Sequence, residues 1–316
     1  MLKISIITPV LNEEENIIDC SKSVKNYFKD KNYDYEHIFV DNSSDDKSVN
    51  TILKLCEEDK KTKLIINNQN YGILPSIFNT LNFCESDYTL VCYAADMQDP
   101  LDEFLDKALP YVDKNYEIVY SIRNKREGSF FYEILKKFYY FLANFLTRKK
   151  LKPYVNVFQI ISDNVRKEIL QSQTNNPFIP YLLQDNSFKK VGIESRWIKR
   201  KKNIPKNDFW SLFDEAKNAI FNYSGISSSL SFGVSIIFFI FSSVFMIYNL
   251  VLFFYNFFSG NIDVERGIPS IIIFNCLSFS AIFIILAIIS ENLNHLLKIK
   301  IGKKVRIKKK INFEIK

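Results

Sequence analysis

Residues 3–10 read Lys-Ile-Ser-Ile-Ile-Thr-Pro-Val, and residues 36–41 read Glu-His-Ile-Phe-Val-Asp. Both runs are short and rich in β-branched residues, which is typical of buried strands. A helical pattern of apolar residues follows each run, beginning at Asn12 after the first and at Val49 after the second. Strands that alternate with helices in this way predict an α/β fold with a mostly parallel sheet and helices on both faces.

The same alternation continues through the first 122 residues. Lys63–Asn67, Tyr88–Tyr93 and Glu117–Ile122 are predicted to be the third, fourth and fifth strands, and Ile73–Phe83 is predicted to be a helix. Polar residues cluster where several of these strands end. Because ligands of parallel α/β sheets bind beyond the carboxyl ends of the strands, the sequence predicts a ligand site built from these polar residues.

Four polar segments define this predicted site, and we number them in chain order. Segment 1 is Pro9–Glu14, segment 2 is Val40–Ser48, segment 3 is Asn70–Gly72 and segment 4 is Asp96–Pro100. Segments 1, 2 and 4 lie at the ends of predicted strands. Their shared position at strand ends carries more weight than the composition of any one of them.

The composition narrows the class of protein. Hydrophobic residues make up 47% and charged residues 24% of the 316 residues, which excludes global disorder. The 8 glycines and 9 prolines are too few for a collagen-like or linker-like chain. The 5 cysteines lack the spacing of metal ligands and are expected to be packing residues. Neither His37, inside a predicted strand, nor His295 is placed to act as a catalytic base.

Two long uncharged stretches follow the first 200 residues. Residues 218–262 and 267–290 carry no charged side chain, and about 20 apolar residues are enough to span a bilayer. We expect one membrane-spanning helix in each stretch, and the alternative is a pair of buried core helices. The predicted parts are a head (1–205), an amphipathic juxtamembrane segment (206–228), two spanning helices with a short loop (229–291) and a basic tail (292–316).

The distribution of charge predicts the orientation in the membrane. The net charge is +7. The tail accounts for all of this excess, since a single acid, Glu314, accompanies Lys298, Lys300, Lys303, Lys304, Arg306, Lys308, Lys309, Lys310 and Lys316. The positive-inside rule puts this tail in the cytoplasm, and two spans return the head to the same side. We therefore expect a multi-pass protein of the inner (cytoplasmic) membrane. Anionic lipid is a better partner for the tail than nucleic acid, and we expect no nucleic-acid partner.

Three further segments leave alternatives open. Residues 129–146 and 209–221 carry apolar side chains at helical spacing, and each could lie at the membrane interface or pack on the sheet of the head. The basic run 196–202 could hold a phosphate group through Lys199 and Arg200, or it could attract anionic lipid.

Together, the four segments resemble the motifs of family-2 glycosyltransferases of the polyisoprenyl-phosphate type, the group of bactoprenol glucosyltransferases and dolichyl-phosphate mannosyltransferases. Segments 1 to 4 are similar, in order, to Pro-x-Tyr-Asn-Glu, Val-Asp-Asp-Gly-Ser-x-Asp-x-Thr, Asn-Phe-Gly and Asp-Ala-Asp-Leu-Gln-Asp-Pro. Ser121, Arg123 and Arg126 fit a later Gly-x-Arg-x-x-Arg. The resemblance covers nearly the whole chain, including two C-terminal helices. It implies a GT-A type, Rossmann-like sheet that binds a nucleotide diphosphate sugar.

The resemblance also implies roles for individual residues. The UDP or GDP moiety would be bound by Pro9, Leu11, Glu13, Asp41, Asn42, Asn70, Gly72 and Ala95. The implied catalytic group is Asp96, Asp99, Arg123 and Arg126. Asp96 and Gln98 could together hold Mg²⁺ or Mn²⁺, since these ions prefer oxygen ligands. The residues alone also allow Asp41 to cap a turn and the two arginines to be a solvated surface pair.

Departures from the family pattern concern groups near the expected sugar and acceptor. Ala94 replaces the first Asp of the fourth motif. Val157 and Gln159 replace the Asp and Arg of a Gly-Asp-Phe-Arg-Leu motif, and residues 205–209 replace Gly-x-Ser-Lys-Tyr. An acceptor phosphate is already ionised near pH 7 and needs no general base. The departures therefore favour either a phosphate acceptor or an inactive relative.

We therefore expect a membrane-anchored inverting glycosyltransferase. It would move a sugar from a nucleotide diphosphate sugar to polyprenyl phosphate for the synthesis of cell-surface glycans. The alternatives are a non-catalytic relative that binds nucleotide sugar and a transferase that acts on a glycan hydroxyl. A homo-oligomer also stays open as an alternative to a monomer.

Overall fold

In a computed structural model of the chain, residues 1–123, 155–171, 188–196, 198 and 305–313 are described, together with scattered residues between 244 and 296. The chain divides into two compact units, and the first contains the sheet. The second unit comprises residues 142–148 and 208–301. Nearly all of its described residues are helical, and the rings of Phe245 and Phe274 stack with their centroids 6.1 Å apart.

The described residues of the first unit form one eight-stranded sheet. Its strands are β1 (Lys3–Val10), β2 (Asp34–Asp41), β3 (Thr62–Asn67), β4 (Tyr88–Leu90), β5 (Ile118–Arg123), β6 (Val155–Ser162), β7 (Lys190–Ser195) and β8 (Ile307–Ile311). Their order across the sheet is β7-β5-β6-β4-β1-β2-β3-β8. Strands β1 to β4 run parallel, as do β5 and β7, whereas β6 and β8 are antiparallel to their neighbours. The predicted mostly parallel sheet is confirmed.

Helices cover both faces of the sheet, as predicted. Helices α1 (Ile17–Phe28), α2 (Ser48–Glu58) and α4 (Leu101–Val112) bury apolar side chains in one core. Helices α3 (Ile73–Thr80) and α5 (Asp163–Gln171) bury theirs in a second core, and a 3₁₀ turn at Leu81–Phe83 follows α3.

Strand β1 shows why the apolar runs are nearly continuous. Successive side chains of a strand point to opposite faces, so Ile6 enters the first core and Ile7 enters the second, and both are fully buried. Each such burial stabilises the fold by about 1.5–3 kcal/mol. A strand that is covered on both faces therefore contains few polar residues, which is the feature that predicted it.

The parallel register brings the polar segments to one edge of the sheet. Val10 lies opposite Asp41, so segments 1 and 2 leave neighbouring strands side by side. Strand β4 ends at Leu90, earlier than predicted. The backbone N–H of Tyr93 then donates to the carbonyl of Ile7 at 2.8 Å, which keeps the chain that leads into segment 4 beside β1.

Strand β8 adds an edge that the sequence analysis did not anticipate. It lies within the predicted basic tail, and it pairs antiparallel with β3, with Ile311 opposite Leu64. Lys308, Lys309 and Lys310 are exposed on this strand. Lysines on an edge strand disfavour pairing with a further chain. Part of the tail thus completes the sheet of the head.

Several predictions concern residues outside this description. They are the roles of Arg126, Lys199 and Arg200, the segments 129–146 and 209–221, and most of the two uncharged stretches. Among the residues that are described, no helix has the length and apolar content needed to cross a membrane.

Candidate active site

Segments 1 and 2 are hydrogen-bonded to each other at the ends of β1 and β2. The backbone N–H of Asn12 donates to Ser44 Oγ at 3.0 Å, and the backbone N–H of Asp45 donates to Asn12 Oδ1 at 2.9 Å. The backbone N–H of Glu13 donates to Ser48 Oγ at 2.9 Å. These reciprocal bonds fix the two segments as one unit, because each supplies partners for the orphaned donors of the other.

Asn42 links segment 2 to segment 3 through a buried amide network. Its Oδ1 accepts hydrogen bonds from Asn67 Nδ2 at 3.0 Å and from the hydroxyl of Ser76. In segment 3, Asn70 Oδ1 accepts from the N–H of Gly72 at 2.8 Å. Gly72 has a φ of +86°, a conformation that disfavours any side chain. The network therefore holds the turn of segment 3 against the end of β2.

Asp41 and Glu13 are more enclosed than the resemblance implies. Both are buried, and the Asp41 carboxylate accepts hydrogen bonds from the N–H groups of Ser43 and Ser44 at 3.0 and 3.2 Å. Burial raises the pKa of Asp41, while the bonds from Ser44 and Ser43 oppose the rise. Glu13 Oε2 accepts from Asn16 Nδ2 at 2.7 Å. Asp41 thus shapes its own turn, as the capping alternative expected, and stands beside the predicted nucleotide site.

Segment 4 presents the pair of residues predicted to bind a metal ion. Met97, between them, adopts a φ of +51° and packs its side chain against the first core. Asp96 and Gln98 are half-buried, and the N–H of Gln98 lies 3.4 Å from Asp96 Oδ1. Carboxylate and amide oxygens suit Mg²⁺ and Mn²⁺. No group of three or more His, Cys, Asp or Glu that could bind a metal occurs in the described part of the chain. Asp96 and Gln98 are two oxygen ligands, and Mg²⁺ usually keeps several water molecules beside its protein ligands.

Two buried thiols lie near the acidic side chains of segments 1 and 4. Burial raises the pKa of Cys20 to about 12, a hydrogen bond with Thr8 opposes this, and the charges of Asp96 and Glu13 raise it further. Burial likewise raises the pKa of Cys92 to about 12, where Asp99 and Asp96 act in the same direction and Arg123 in the opposite one. Cys20 is therefore near an acidic residue of each segment, Glu13 in segment 1 and Asp96 in segment 4.

Arg123 and Asp99 form a bidentate ion pair at this edge. Arg123 Nε donates to Asp99 Oδ1 at 3.0 Å, and one terminal nitrogen donates to Oδ2 at 2.7 Å. Asp99 is buried, whereas the Arg123 side chain is 35% exposed. Arg123 is thus paired with a buried carboxylate, whereas Arg126, the other arginine of the alternative surface pair, lies outside the described residues. The Arg123 guanidinium is held in a fixed orientation with part of its surface accessible to an anion.

Other predicted residues fall at the same edge with different exposure. Pro9 and Leu11 are half-buried, Asn70 and Gly72 are exposed, and Ala95 is buried. Ile198, after β7, donates its backbone N–H to the carbonyl of Gln98 at 2.9 Å. This bond brings the start of the predicted basic run to segment 4.

Asn67 and Ser76 were missed by the sequence analysis. Both are buried, and both donate to the Asn42 amide oxygen. A signal was present in the sequence, because a polar amide ends the apolar run of β3 and a serine lies on the buried face of α3. Neither pattern predicts that Asn42 is the hydrogen-bond partner, since Asn42 is distant along the chain.

Ser43 allows a stability prediction. It has a φ of +65° at a position where the family motif has glycine, and a left-handed residue with a side chain costs about 1–2 kcal/mol. Part of the gain on removal is offset by the entropy of glycine, about 0.5–1 kcal/mol. We expect Ser43→Gly to raise the free energy of unfolding by about 1 kcal/mol, measured by urea denaturation. Ser43→Ala retains a Cβ and is expected to give no gain; equal gains in both variants would contradict the explanation.

His37, in the middle of β2, allows a prediction about pH. It is fully buried with Nε2 2.8 Å from Thr8 Oγ1, and burial lowers its pKa from 6.5 to about 3. The unfolded chain then binds more protons than the folded chain between these values, so stability falls as the pH drops below 6.5. This group should remove about 2 kcal/mol of stability between pH 7 and pH 5.

The variant His37→Gln cannot titrate and can still hydrogen-bond with Thr8. We expect the stability difference between pH 7 and pH 5, measured by denaturant unfolding, to be smaller in this variant by that amount. Identical pH dependence in the two proteins would show that His37 does not remain neutral in the folded state.

The strand order and the polar edge define the class of protein as a GT-A type α/β fold, the fold of nucleotide-sugar transferases. The chain belongs to glycosyl transferase family 2: the model of that family, described as "Glycosyl transferase family 2", matches residues 5–170. The resemblance recognised in the sequence motifs is thereby confirmed.

Curated relatives extend the comparison. An uncharacterised glycosyltransferase of Bacillus subtilis (strain 168), YkcC, is 27% identical over 194 residues, covering 61% of this chain and 59% of the relative. The undecaprenyl-phosphate 4-deoxy-4-formamido-L-arabinose transferase of Proteus mirabilis (strain HI4320) is 25% identical over 213 residues, covering 67% of this chain and 65% of the relative. This chain thus spans less than two thirds of the length of either protein.

Solved structures share the fold at low sequence identity. Mannosyl-3-phosphoglycerate synthase from Rubrobacter xylanophilus has a TM-score of 0.51 at 12% identity, covering 70% of this chain and 73% of that protein. Glucosyl-3-phosphoglycerate synthase from Mycobacterium tuberculosis has a TM-score of 0.50 at 14% identity, covering 71% and 80%. At these identities the likeness concerns the fold alone.

Proposed function

We propose that this chain is a membrane-anchored inverting glycosyltransferase that moves a sugar from a nucleotide diphosphate sugar to polyprenyl phosphate. The observation that carries the proposal is the meeting of segments 1 to 4 at the carboxyl edge of β1 to β4, with Asp96 and Arg123 at that edge. Membership of family 2 supports sugar transfer. A relative named as an undecaprenyl-phosphate transferase supports the lipid acceptor.

The nucleotide would lie against segments 1 and 3. Pro9, Leu11, Asn70 and Gly72 have accessible surface there, whereas Asp41 and Asn42 are buried. The two buried residues would act by fixing the loop backbones. Preorganised loops lower the ordering cost of binding.

The departing diphosphate would be handled by segment 4 and Arg123. A divalent ion held by Asp96 and Gln98 would supply positive charge that stabilises the leaving group. Arg123 would add a planar donor, and Asp99 would keep that donor oriented. Asp99 has both carboxylate oxygens directed at Arg123, which supports a positioning role for it.

The acceptor step would need no general base. An oxygen of the lipid phosphate would form a bond to C1 of the sugar from the face opposite the leaving group. The bond from C1 to the diphosphate oxygen would break, and its electron pair would leave with the nucleoside diphosphate. Val157, where the family has Asp, packs against the second core. An already ionised acceptor is compatible with that substitution.

The position of β8 supports an even number of membrane crossings. Residues 195 and 307 belong to strands of one sheet, so the chain between them leaves the head and returns to it. Two spans, one in each uncharged stretch, satisfy this condition and agree with the basic tail. We propose an inner-membrane protein with the head and the tail in the cytoplasm.

The test uses the full chain purified in detergent. Polyprenyl phosphate, Mg²⁺ or Mn²⁺ and a panel of labelled UDP- and GDP-sugars are supplied, and labelled lipid is extracted and counted. We expect lipid product with one donor, and we expect it to be lost with a chelator and in Asp96→Ala. A parallel reaction with a soluble glycan in place of the lipid tests for transfer to a hydroxyl group. Absence of labelled lipid from every donor would refute the proposal.

A non-catalytic nucleotide-sugar-binding relative is the second candidate, and Gln159 favours it. Gln159 replaces an Arg of the family motif, is fully buried beside Ile77, Leu81 and Ile169, and has no hydrogen-bond partner for its amide among the described residues. A buried unpaired amide costs stability, and it supplies no positive charge where the family motif has an arginine. Tight binding of a donor sugar without turnover, unchanged in Asp96→Ala, would identify this candidate.

A further inference from the structure

Tyr71, in the middle of segment 3, is bonded to the chain just before β8. The backbone N–H of Arg306 donates to Tyr71 Oη at 3.2 Å, and the Tyr71 hydroxyl donates to Asn68 Oδ1 at 2.6 Å. The backbone N–H of Asn68 donates to the carbonyl of Arg306 at 3.0 Å. These three bonds form a closed ring between segment 3 and a residue 235 positions further along the chain.

The hydroxyl that makes this ring is a feature of this chain. The motif that segment 3 resembles is Asn-Phe-Gly. Phenylalanine has no hydroxyl group, so at position 71 it could make neither of the two hydrogen bonds of Tyr71. Tyr71 is half-buried, while Gly72 beside it is exposed at the predicted nucleotide site. A side chain bonded to the chain before β8 can therefore restrain the neighbouring backbone of segment 3.

Strand β8 also supports the buried network behind segment 3. Ile307 lies opposite Asn67 in the sheet, and Asn67 donates to Asn42 and to Ser76. Asn42 in turn reaches the carbonyl of Gly72 at 3.5 Å. The start of β8 thus contacts segment 3 by two routes, through Tyr71 and through the end of β3.

The other end of β8 is anchored separately. Asn312 Nδ2 donates to the carbonyls of Cys56 and Thr62 at 2.7 and 2.8 Å. Five residues of strand span about 17 Å, so this anchor lies near the start of β3, at the end of the sheet opposite the predicted site. The two anchors can therefore be removed one at a time.

We propose that Tyr71 is a positioning residue through which the C-terminal strand holds segment 3 in its nucleotide-binding conformation. The inference rests on the proposed function for what segment 3 binds. Docking of the chain after the uncharged stretches would then complete the nucleotide site, in addition to stabilising the edge of the sheet.

The experiment compares Tyr71→Phe with Asn312→Gly in the full chain. Tyr71→Phe removes the hydroxyl group and both of its hydrogen bonds. Asn312→Gly removes the side chain that bonds to Cys56 and Thr62, and glycine tolerates the φ of +62° at that position. Binding of UDP and GDP is measured by calorimetry well below the unfolding temperature. We expect Tyr71→Phe to weaken nucleotide binding about 3- to 10-fold, the effect of losing one or two hydrogen bonds, and Asn312→Gly to lower the unfolding temperature without changing affinity.

Amide hydrogen exchange of residues 68–76 provides a readout that does not require a ligand. We expect faster exchange there in Tyr71→Phe and unchanged exchange in Asn312→Gly. Equal exchange in Tyr71→Phe and the wild type, or equal losses of affinity in both variants, would overturn the inference. A wild-type chain that binds neither nucleotide would refute the proposed function instead, and the exchange measurement would still decide the positioning role.

Discussion

Arg123→Ala is expected to lower the rate of sugar transfer about 10²- to 10³-fold. That is the usual effect of removing one fixed donor from a developing negative charge. Arg123 is suited to this role because two hydrogen bonds to Asp99 fix the orientation of its guanidinium group. About a third of the Arg123 side chain stays exposed. The measurement is the initial rate of lipid labelling with saturating donor.

Two further variants distinguish charge from geometry. Arg123→Lys keeps the charge and loses the planar fork, so we expect it to recover only part of the rate. Asp99→Asn keeps the shape of the partner and removes its charge, and we expect a smaller loss than in Arg123→Ala. Lys107→Ala, which removes an exposed ion pair with Glu103, is the control and should be active at the wild-type rate. A rate within 3-fold of wild type for Arg123→Ala would exclude Arg123 from the reaction.

Glu36→Ala is expected to lower the free energy of unfolding by about 3 kcal/mol, because Glu36 is buried and its removal leaves Lys63, which is only 12% exposed, without its carboxylate partner. Glu36 is 1% exposed and lies 2.7 Å from Lys63 Nζ and 3.3 Å from Lys3 Nζ. Its carboxylate also accepts from the Ser5 hydroxyl and from the N–H of Glu85. Urea unfolding at pH 7 gives the measurement.

The pKa of Glu36 predicts how the effect of Glu36→Ala on stability depends on pH. Burial raises this pKa, but hydrogen bonds from Lys63 and Ser5 and the charge of Lys63 outweigh burial, so the net pKa is lowered. A carboxyl with a lowered pKa stabilises the fold above its unfolded pKa and loses that contribution as the pH falls through the folded value. We therefore expect the difference between wild type and Glu36→Ala to shrink in acid.

Asp34→Ala is the matched control for Glu36→Ala. Asp34, at the start of β2, pairs with Lys61, just before β3, but both side chains are 40% exposed or more, so the loss should stay below about 1 kcal/mol. Nucleotide affinity should be unchanged in both variants, since Glu36 lies near the start of β2 and the site lies at its end. A loss below 1 kcal/mol for Glu36→Ala would show that its burial cost cancels its pairing.

Much of the candidate site could be predicted from local patterns. Segments 1, 2 and 4 were found because each follows an apolar run, and parallel strands bring such ends together. The structure changes the interpretation of individual residues within them. The Asp41 carboxylate accepts hydrogen bonds from the backbone of the turn that follows it, and the Asp99 carboxylate accepts two from Arg123. Buried carboxylates need such donors nearby. Which donor each one finds depends on neighbours that are remote in sequence.

By itself, the sequence determined the alternation of strands and helices, the two faces of the sheet and the edge at which polar segments gather. These follow from periodicity and composition over windows of about ten residues, where burial on one or both faces dictates the side chains. Only the tertiary structure decided that β6 inserts antiparallel between β4 and β5, that Asn67 and Ser76 join Asn42, and that Ile307–Ile311 completes the edge beside β3. Strand pairing and buried amide networks depend on which backbone edges and polar groups remain without partners once the rest of the chain has folded, and no local pattern contains that information.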